Sequence, residues 1–305
     1  MRKNKNNLLP ILALGAASLL WGINVPMVKL GLETFPVTVF MATKFLAASL
    51  ILLPFAIRTW KPLKRKELGL LALSSFIYIT FASLALNVGL TYAPSINSGI
   101  ITLLGPLLLC ILSVKFLKER MNLKTFLGVL LAFAGAMIIV GKPWDISLAG
   151  QATLLGNALF LLAVLGVVIG TIIAKPVLGK TSSYQATFII LFVGILPIAA
   201  FSLTELPRFD VRDITTSGYV ALFYGIFAIT LANFFHTYGL KYKQAHQVGI
   251  FSYLETVILI IAAWFILGER PTEEFVAGAA LVFFGLYLAE VGRIPRHLMA
   301  HHHHK

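Results

Sequence analysis

The 305-residue chain is 58% hydrophobic and 12% charged, with a mean hydropathy of +0.89. A soluble domain carries about 25% charged residues, and one core of this size has no room for so much apolar surface, so lipid is the expected solvent for most of it. The net charge of +13 lies in short gaps between apolar runs, which reads as membrane topology and sets nucleic acid aside as a partner.

Residues 1–7 are basic and precede an apolar stretch, as in a signal peptide. Leu8–Leu32 is nevertheless long enough to span, and it reads as an uncleaved first helix. Nine further apolar segments follow: Val37–Ile57, Leu68–Leu90, Ser95–Val114, Leu123–Val140, Ala152–Ile173, Tyr184–Leu203, Gly218–Gly239, Ala245–Ile266 and Phe275–Val291. The single cysteine, Cys110, lies within one of them. It excludes a disulfide framework and reads as a packing residue. His301–His304 followed by Lys305 looks like part of a purification tag, so residues 297–305 are expected to carry no function.

The gaps set an orientation. With the N-terminus in the cytoplasm, eighteen Lys and Arg fall inside, among them Arg58, Lys64, Arg65, Lys115, Lys118, Lys175, Lys180, Lys241 and Lys243. Four fall outside: Lys142, Arg208, Arg212 and Arg270. Acidic residues show the reverse bias, with Glu33, Asp145, Glu205, Asp210, Asp213, Glu269, Glu273 and Glu274 outside. The positive-inside rule therefore predicts ten transmembrane helices with both termini inside.

The two halves are related. Gly89–Val140 aligns without a gap on Gly239–Glu290, with fifteen of 52 positions identical, including Gly99/Gly249, Glu119/Glu269, Arg120/Arg270, Gly128/Gly278 and Gly135/Gly285. This is a duplicated five-helix unit, and because five is odd, the second copy sits upside down. Inverted-topology repeats are a structural signature of secondary transporters, with the binding site near the midplane between the halves. The expected fold class is thus an all-α integral membrane protein of two inverted five-helix repeats, over residues 1–145 and 146–296.

Particular motifs sharpen the expectation. Trp21-Gly22-x-Asn24 lies in the first helix, Gly89-Leu-x-Tyr92 leads to Gly105-Pro106, and Glu119-Arg120 closes the fourth helix. Ser252-Tyr-Leu-Glu255 and Leu267-Gly-Glu269-Arg270 occupy the ninth. On these residues the chain resembles the EamA family of the drug/metabolite transporter superfamily, over nearly its whole length. Thr256 stands where the family pattern has Pro, and no counterpart of Trp21 appears in the second half. The resemblance implies a ten-helix transporter of amino acids, metabolites or drugs, often an exporter. It also implies a cavity framed by helices 1, 3, 4, 6, 8 and 9, with helices 5 and 10 peripheral.

Glu255 is the leading candidate for chemistry. A carboxylate at mid-membrane costs about 2.5–3.5 kcal/mol on insertion scales, so it reads either as a proton or cation site or as a protonated interhelical bond. Trp21 and Asn24 share one helix face with Ser18. The further candidates for substrate contact are Tyr78, Asn97, Thr102, Asn157, Tyr224, Asn233, Gln247 and Tyr253, each also explicable as an interhelical hydrogen bond. Lys29 lies near the outer end of the first helix and Lys44 one turn into the second, neither at mid-membrane, which disfavours phosphorylated substrates. A neutral, zwitterionic or cationic metabolite is expected, amino acids foremost, and export is the expected direction.

No phosphate loop, HExxH motif or cysteine-pair motif is present in the sequence. No ATP-driven step, cofactor or metal is therefore expected. The expected partners are a small-molecule substrate, protons and membrane lipid, at the inner membrane, while oligomeric state has no signal. An uncoupled facilitator, a membrane enzyme and a non-transporting sensor are the competing readings.

Overall fold

The computed structural model describes residues 8–140, 151–269 and 275–291 and is helical, with no strand among the described residues. The helices are α1 (Leu8–Gly31), α2 (Val37–Arg58), α3 (Arg65–Tyr92), α4 (Ser95–Leu117), α5 (Leu123–Val140), α6 (Gln151–Leu178), α7 (Ser183–Ser202), α8 (Thr216–Tyr242), α9 (Ala245–Leu267) and α10 (Phe275–Val291). Among the described residues, eight helices (α1–α4 and α6–α9) are long and apolar enough to cross a membrane. Shorter apolar helices occur at Leu123–Gly135 and Val276–Ala289, within α5 and α10. Leu50, Phe116, Phe223 and Phe265 are exposed, as expected where acyl chains replace water as solvent.

Local signals set many of the ends. Ser182 and Thr215 cap α7 and α8 by accepting from the backbone N–H of Gln185 and Gly218. Gly268, at φ +69°, ends α9 in the left-handed region that glycine tolerates without strain. Two helices are irregular. The segment Phe76–Ser83 within α3 is π-helical, which rotates the residues after it relative to those before it. Within α4 the helix breaks at Leu103. Pro106 has no N–H to give the carbonyl of Thr102, four residues earlier, so the break has a local cause.

The packing pairs elements across the two halves. α1 lies against α8 and α9, and correspondingly α6 lies against α3 and α4. α2 packs on α7, α4 on α9 and α5 on α10. Exchanging helices one to five for six to ten reproduces this same list. The α5–α10 seam brings backbone against backbone: a β-carbon built at Gly128 would lie 2.6 Å from the Gly285 carbonyl, and one built at Gly285 would lie 2.6 Å from the Gly128 carbonyl. Small residues let these backbones meet, which is how membrane helices gain contact without a hydrophobic driving force.

Candidate functional site

A cavity opens between the halves, with about 1360 Å³ of free space including its mouth. Its wall comes from α1, α2, α3, α4, α6, α8 and α9, and among the described residues none of α5, α7 or α10 contributes. The expected frame is therefore present, with one addition: α2 supplies Lys44 and Phe45.

Six of the sequence candidates line this cavity: Trp21, Asn24, Tyr78, Thr102, Asn233 and Glu255. Glu255 projects from α9 and has no hydrogen bond or ion pair to another described residue. Gly22 makes room beside it, since a β-carbon there would lie 2.8 Å from the Glu255 carbonyl oxygen. The ring of Trp21 meets that of His236 on α8 at 5.0 Å between centroids. Ser18, one turn before Trp21, donates to the Phe251 carbonyl at 2.9 Å and fixes α1 on α9. Asn233 donates to the Ile229 carbonyl at 2.9 Å, so its amide is oriented by its own helix.

The other five candidates lie off the cavity wall. Asn97 donates to the Asn157 side-chain oxygen at 3.0 Å, joining α4 to α6. Tyr224 donates to the Leu20 carbonyl at 3.0 Å, joining α8 to α1. Gln247 accepts from the Gln244 backbone N–H at 2.9 Å in the first turn of α9. Tyr253 is fully buried, with no hydrogen-bond partner for its hydroxyl among the described residues.

Lys44, which the sequence reading sets one turn into the second helix and uses only against phosphorylated substrates, stands on this wall. It is 1% exposed and lines the cavity. It donates to the Asn87 side-chain oxygen at 3.3 Å and lies 4.5 Å from the centroid of the Phe40 ring. The one-turn depth is an undercount: seven residues of α2 precede Lys44, about two turns, and a lysine that far into an apolar helix cannot easily snorkel to the surface.

The two ends of the α4–α9 pair are joined by related contacts. At one end Glu119, just after α4, accepts from the Ala245 backbone N–H at 2.8 Å and bonds the His246 ring at 2.9 Å, at the start of α9. At the other end Glu269, just after α9, pairs with Lys29 of α1 at 3.1 Å. It also accepts from the Ser95 hydroxyl at 2.9 Å, at the start of α4. Burial pushes the Glu119 carboxyl up, but the His246 ring and the Ala245 N–H outweigh it and hold the group below the usual carboxylate range. Lys175 donates to the carbonyls of Leu240 and Lys243 beside the Glu119 end. No cluster of His, Cys, Asp and Glu able to hold a metal occurs among the described residues.

Comparison with known proteins agrees with this architecture. The EamA-like transporter family matches residues 8–141 and again 154–290. YetK of Bacillus subtilis (strain 168), an uncharacterized transporter, is 32% identical over 92% of this chain and 86% of its own. A probable amino-acid metabolite efflux pump of Salmonella typhimurium is 25% identical, covering 89% of this chain and 91% of its own. An S-adenosylmethionine uptake transporter of Rickettsia conorii is 24% identical, covering 82% and 81%. A solved crystal structure superposes with a TM-score of 0.71 at 17% identity, covering 92% of this chain and 97% of that one, and shares the fold. The chain is a multi-pass membrane protein and a transporter, and it belongs to the EamA-like transporter family.

Proposed function

We propose that the protein is a secondary transporter that moves a small neutral, zwitterionic or cationic metabolite across the inner membrane by alternating access, with amino acids favoured and export as the direction. Ten crossings, with both termini inside, form two inverted repeats over residues 1–145 and 146–296. The substrate sits among Trp21, Asn24, Tyr78, Thr102, Asn233 and Glu255, and Glu255 couples transport to protons. Asn97, Asn157, Tyr224, Gln247 and Tyr253 act as second-rank contacts that the helices bring in as they move. The observation that carries this reading is the cavity itself. It is walled by helices of both halves, and we take as its two closures the contacts of Glu119 and Glu269 at opposite ends of the α4–α9 pair, which occupy equivalent places in the duplicated unit. A carrier needs two such closures, so that each can open while the other holds.

The test is counterflow in proteoliposomes with labelled amino acids and small amines, with and without an imposed pH gradient. Gradient-driven accumulation of one class supports the proposal. Exchange indifferent to pH reduces the protein to a facilitator. Absence of exchange for every compound overturns the proposed substrate range.

A further inference from the structure

Lys44 is buried on the wall of the cavity, and no described carboxylate pairs with it. Its neighbours are the Asn87 amide oxygen at 3.3 Å and the faces of Phe40 and Phe45 at 4.5 and 5.7 Å. These groups compensate an ammonium only in part, because a charge taken out of water requires an opposite charge nearby or it is costly to keep. Asn87 is held for this contact. Its amide nitrogen donates to the Ser83 carbonyl at 2.7 Å, which leaves its oxygen turned to Lys44.

A second group close by lacks a partner of the opposite kind. The side-chain oxygen of Asn24 is buried with no hydrogen bond among the described residues, and the residue is 9% exposed. It is a neighbour of Lys44. A β-carbon built at Gly225 would lie 3.4 Å from the Lys44 Cδ and 3.9 Å from the Asn24 oxygen. Between α1, α2 and α8 the wall thus brings a lysine with no carboxylate partner close to an amide oxygen with no donor, among the described residues.

We propose that Lys44, oriented by Asn87, holds the carboxylate of the transported molecule, while the free oxygen of Asn24 takes its adjacent ammonium. This assigns an α-amino acid head-group subsite, and with it a substrate class narrower than neutral, zwitterionic or cationic metabolites: a free carboxylate is required. The inference rests on the transporter reading above. A carboxylate gains a charge-assisted hydrogen bond from Lys44 in a low-dielectric wall, where such bonds are about twice as strong as neutral ones. An amine without the carboxylate would leave Lys44 as unpaired as it is in the empty cavity.

The test uses the full chain in proteoliposomes with a set of L-amino acids, each beside its methyl ester and its decarboxylated amine. Exchange of the amino acids should exceed that of both analogues by about tenfold or more, the scale of one charge-assisted hydrogen bond. Lys44→Met should lower amino-acid exchange by the same factor while exchange of the decarboxylated amine is kept or raised, which also reports that the variant is folded. Asn87→Leu should raise the amino-acid KM and leave that of the amine unchanged. Equal exchange of amino acid and amine by the wild-type protein overturns the subsite and leaves the transporter standing. If Lys44→Met does not fold, that wild-type comparison still decides. If the wild type exchanges nothing, the proposed substrate range fails, and the subsite is then judged by ligand-induced thermal stabilisation of the purified protein. Stabilisation by amino acids and not by their esters keeps it, and no difference overturns it.

Discussion

Glu119 bonds the ring of His246 at 2.9 Å across the seam between the end of α4 and the start of α9, and its counterpart 150 positions later, Glu269, meets the start of α4 at Ser95. Each carboxylate sits at the N-terminus of the other half's helix, where unpaired N–H groups favour negative charge. If the two contacts are the opposing closures of an alternating-access cycle, breaking one should bias the protein toward the state open on that side. A cysteine at Thr102, in a Cys110→Ala background, reports access to the cavity. With membrane-impermeant maleimide, Glu119→Ala should raise labelling from the cytoplasmic face, and Glu269→Ala should raise it from the external face. Each change should be roughly two- to tenfold, since a net hydrogen bond contributes about 0.5–1.5 kcal/mol. Two variants that raise labelling from the same face would exclude the paired-closure arrangement.

The Glu119 end also has a defined acid response. Its carboxyl is held below the ordinary range, because the His246 and Ala245 hydrogen bonds outweigh burial. A carboxyl depressed in the folded state contributes stability that is fully present above its unfolded value, about 4.3, and lost as pH falls through the folded value. The difference in thermal stability between the wild type and Glu119→Gln should therefore be present above about pH 5 and shrink only at lower pH. A difference that has already vanished at pH 6 would contradict the assignment of Glu119 as the responsible group.

Much of this arrangement is legible in the sequence because duplication leaves a direct record. The spacing of Glu119 to Glu269 and of Gly128 to Gly278 marks the ends and seams before any coordinate is known. Helix boundaries are less so. The sixth segment reads as Ala152–Ile173, yet α6 runs on through Pro176 to Leu178, because a proline in the last turns removes a bond that neighbouring groups can replace. The π-helical stretch of α3 leaves no signal in apolar periodicity. That stretch rotates the helix before Asn87, so which face Asn87 presents cannot be counted from the start of the segment. Site residues divide for a similar reason. Hydropathy shows that Asn97 and Tyr224 must avoid lipid, but satisfying a polar group against Asn157 or a backbone carbonyl is as good physically as facing a cavity.

Glu255 lines the cavity without a hydrogen bond or ion pair to a described residue, as a group that exchanges its proton during a cycle would. Glu255→Gln preserves shape and removes titration. Counterflow of substrate should survive within about tenfold, a loss on the scale of one hydrogen bond, whereas accumulation driven by a pH gradient should disappear. Gradient-driven accumulation of wild-type size in Glu255→Gln would remove this residue from the coupling mechanism.

Orientation can be read from two loops that the structure describes. Asp210 follows α7, and Lys64 precedes α3. The Glu273–Glu274 pair, which the charge bias also puts outside, lies beyond the described residues. With Cys110 replaced, a cysteine at Asp210 should react with impermeant maleimide added to intact cells, and one at Lys64 should react only after the membrane is opened. The opposite pattern would invert the topology and exchange the sides assigned to Glu119 and Glu269.

The α5–α10 seam gives a stability prediction independent of transport. Gly128 on α5 meets the backbone of α10 so closely that a β-carbon would lie 2.6 Å from the Gly285 carbonyl and 2.8 Å from the backbone nitrogen of Ala289. Backbone cannot rotate away as a side chain can, so the helices must separate, at a cost typical of overpacking, about 1–3 kcal/mol. Gly69, near the start of α3, has nothing within 4 Å of a built β-carbon, and alanine there should stabilise its helix by roughly 0.5–1 kcal/mol. Gly128→Ala should thus lower the unfolding temperature in detergent, and Gly69→Ala should leave it unchanged or raise it. Because no described residue of α5 or α10 lines the cavity, the loss in Gly128→Ala should appear as fewer folded molecules with an unchanged substrate KM. A raised KM at full stability would instead connect this seam to the binding site.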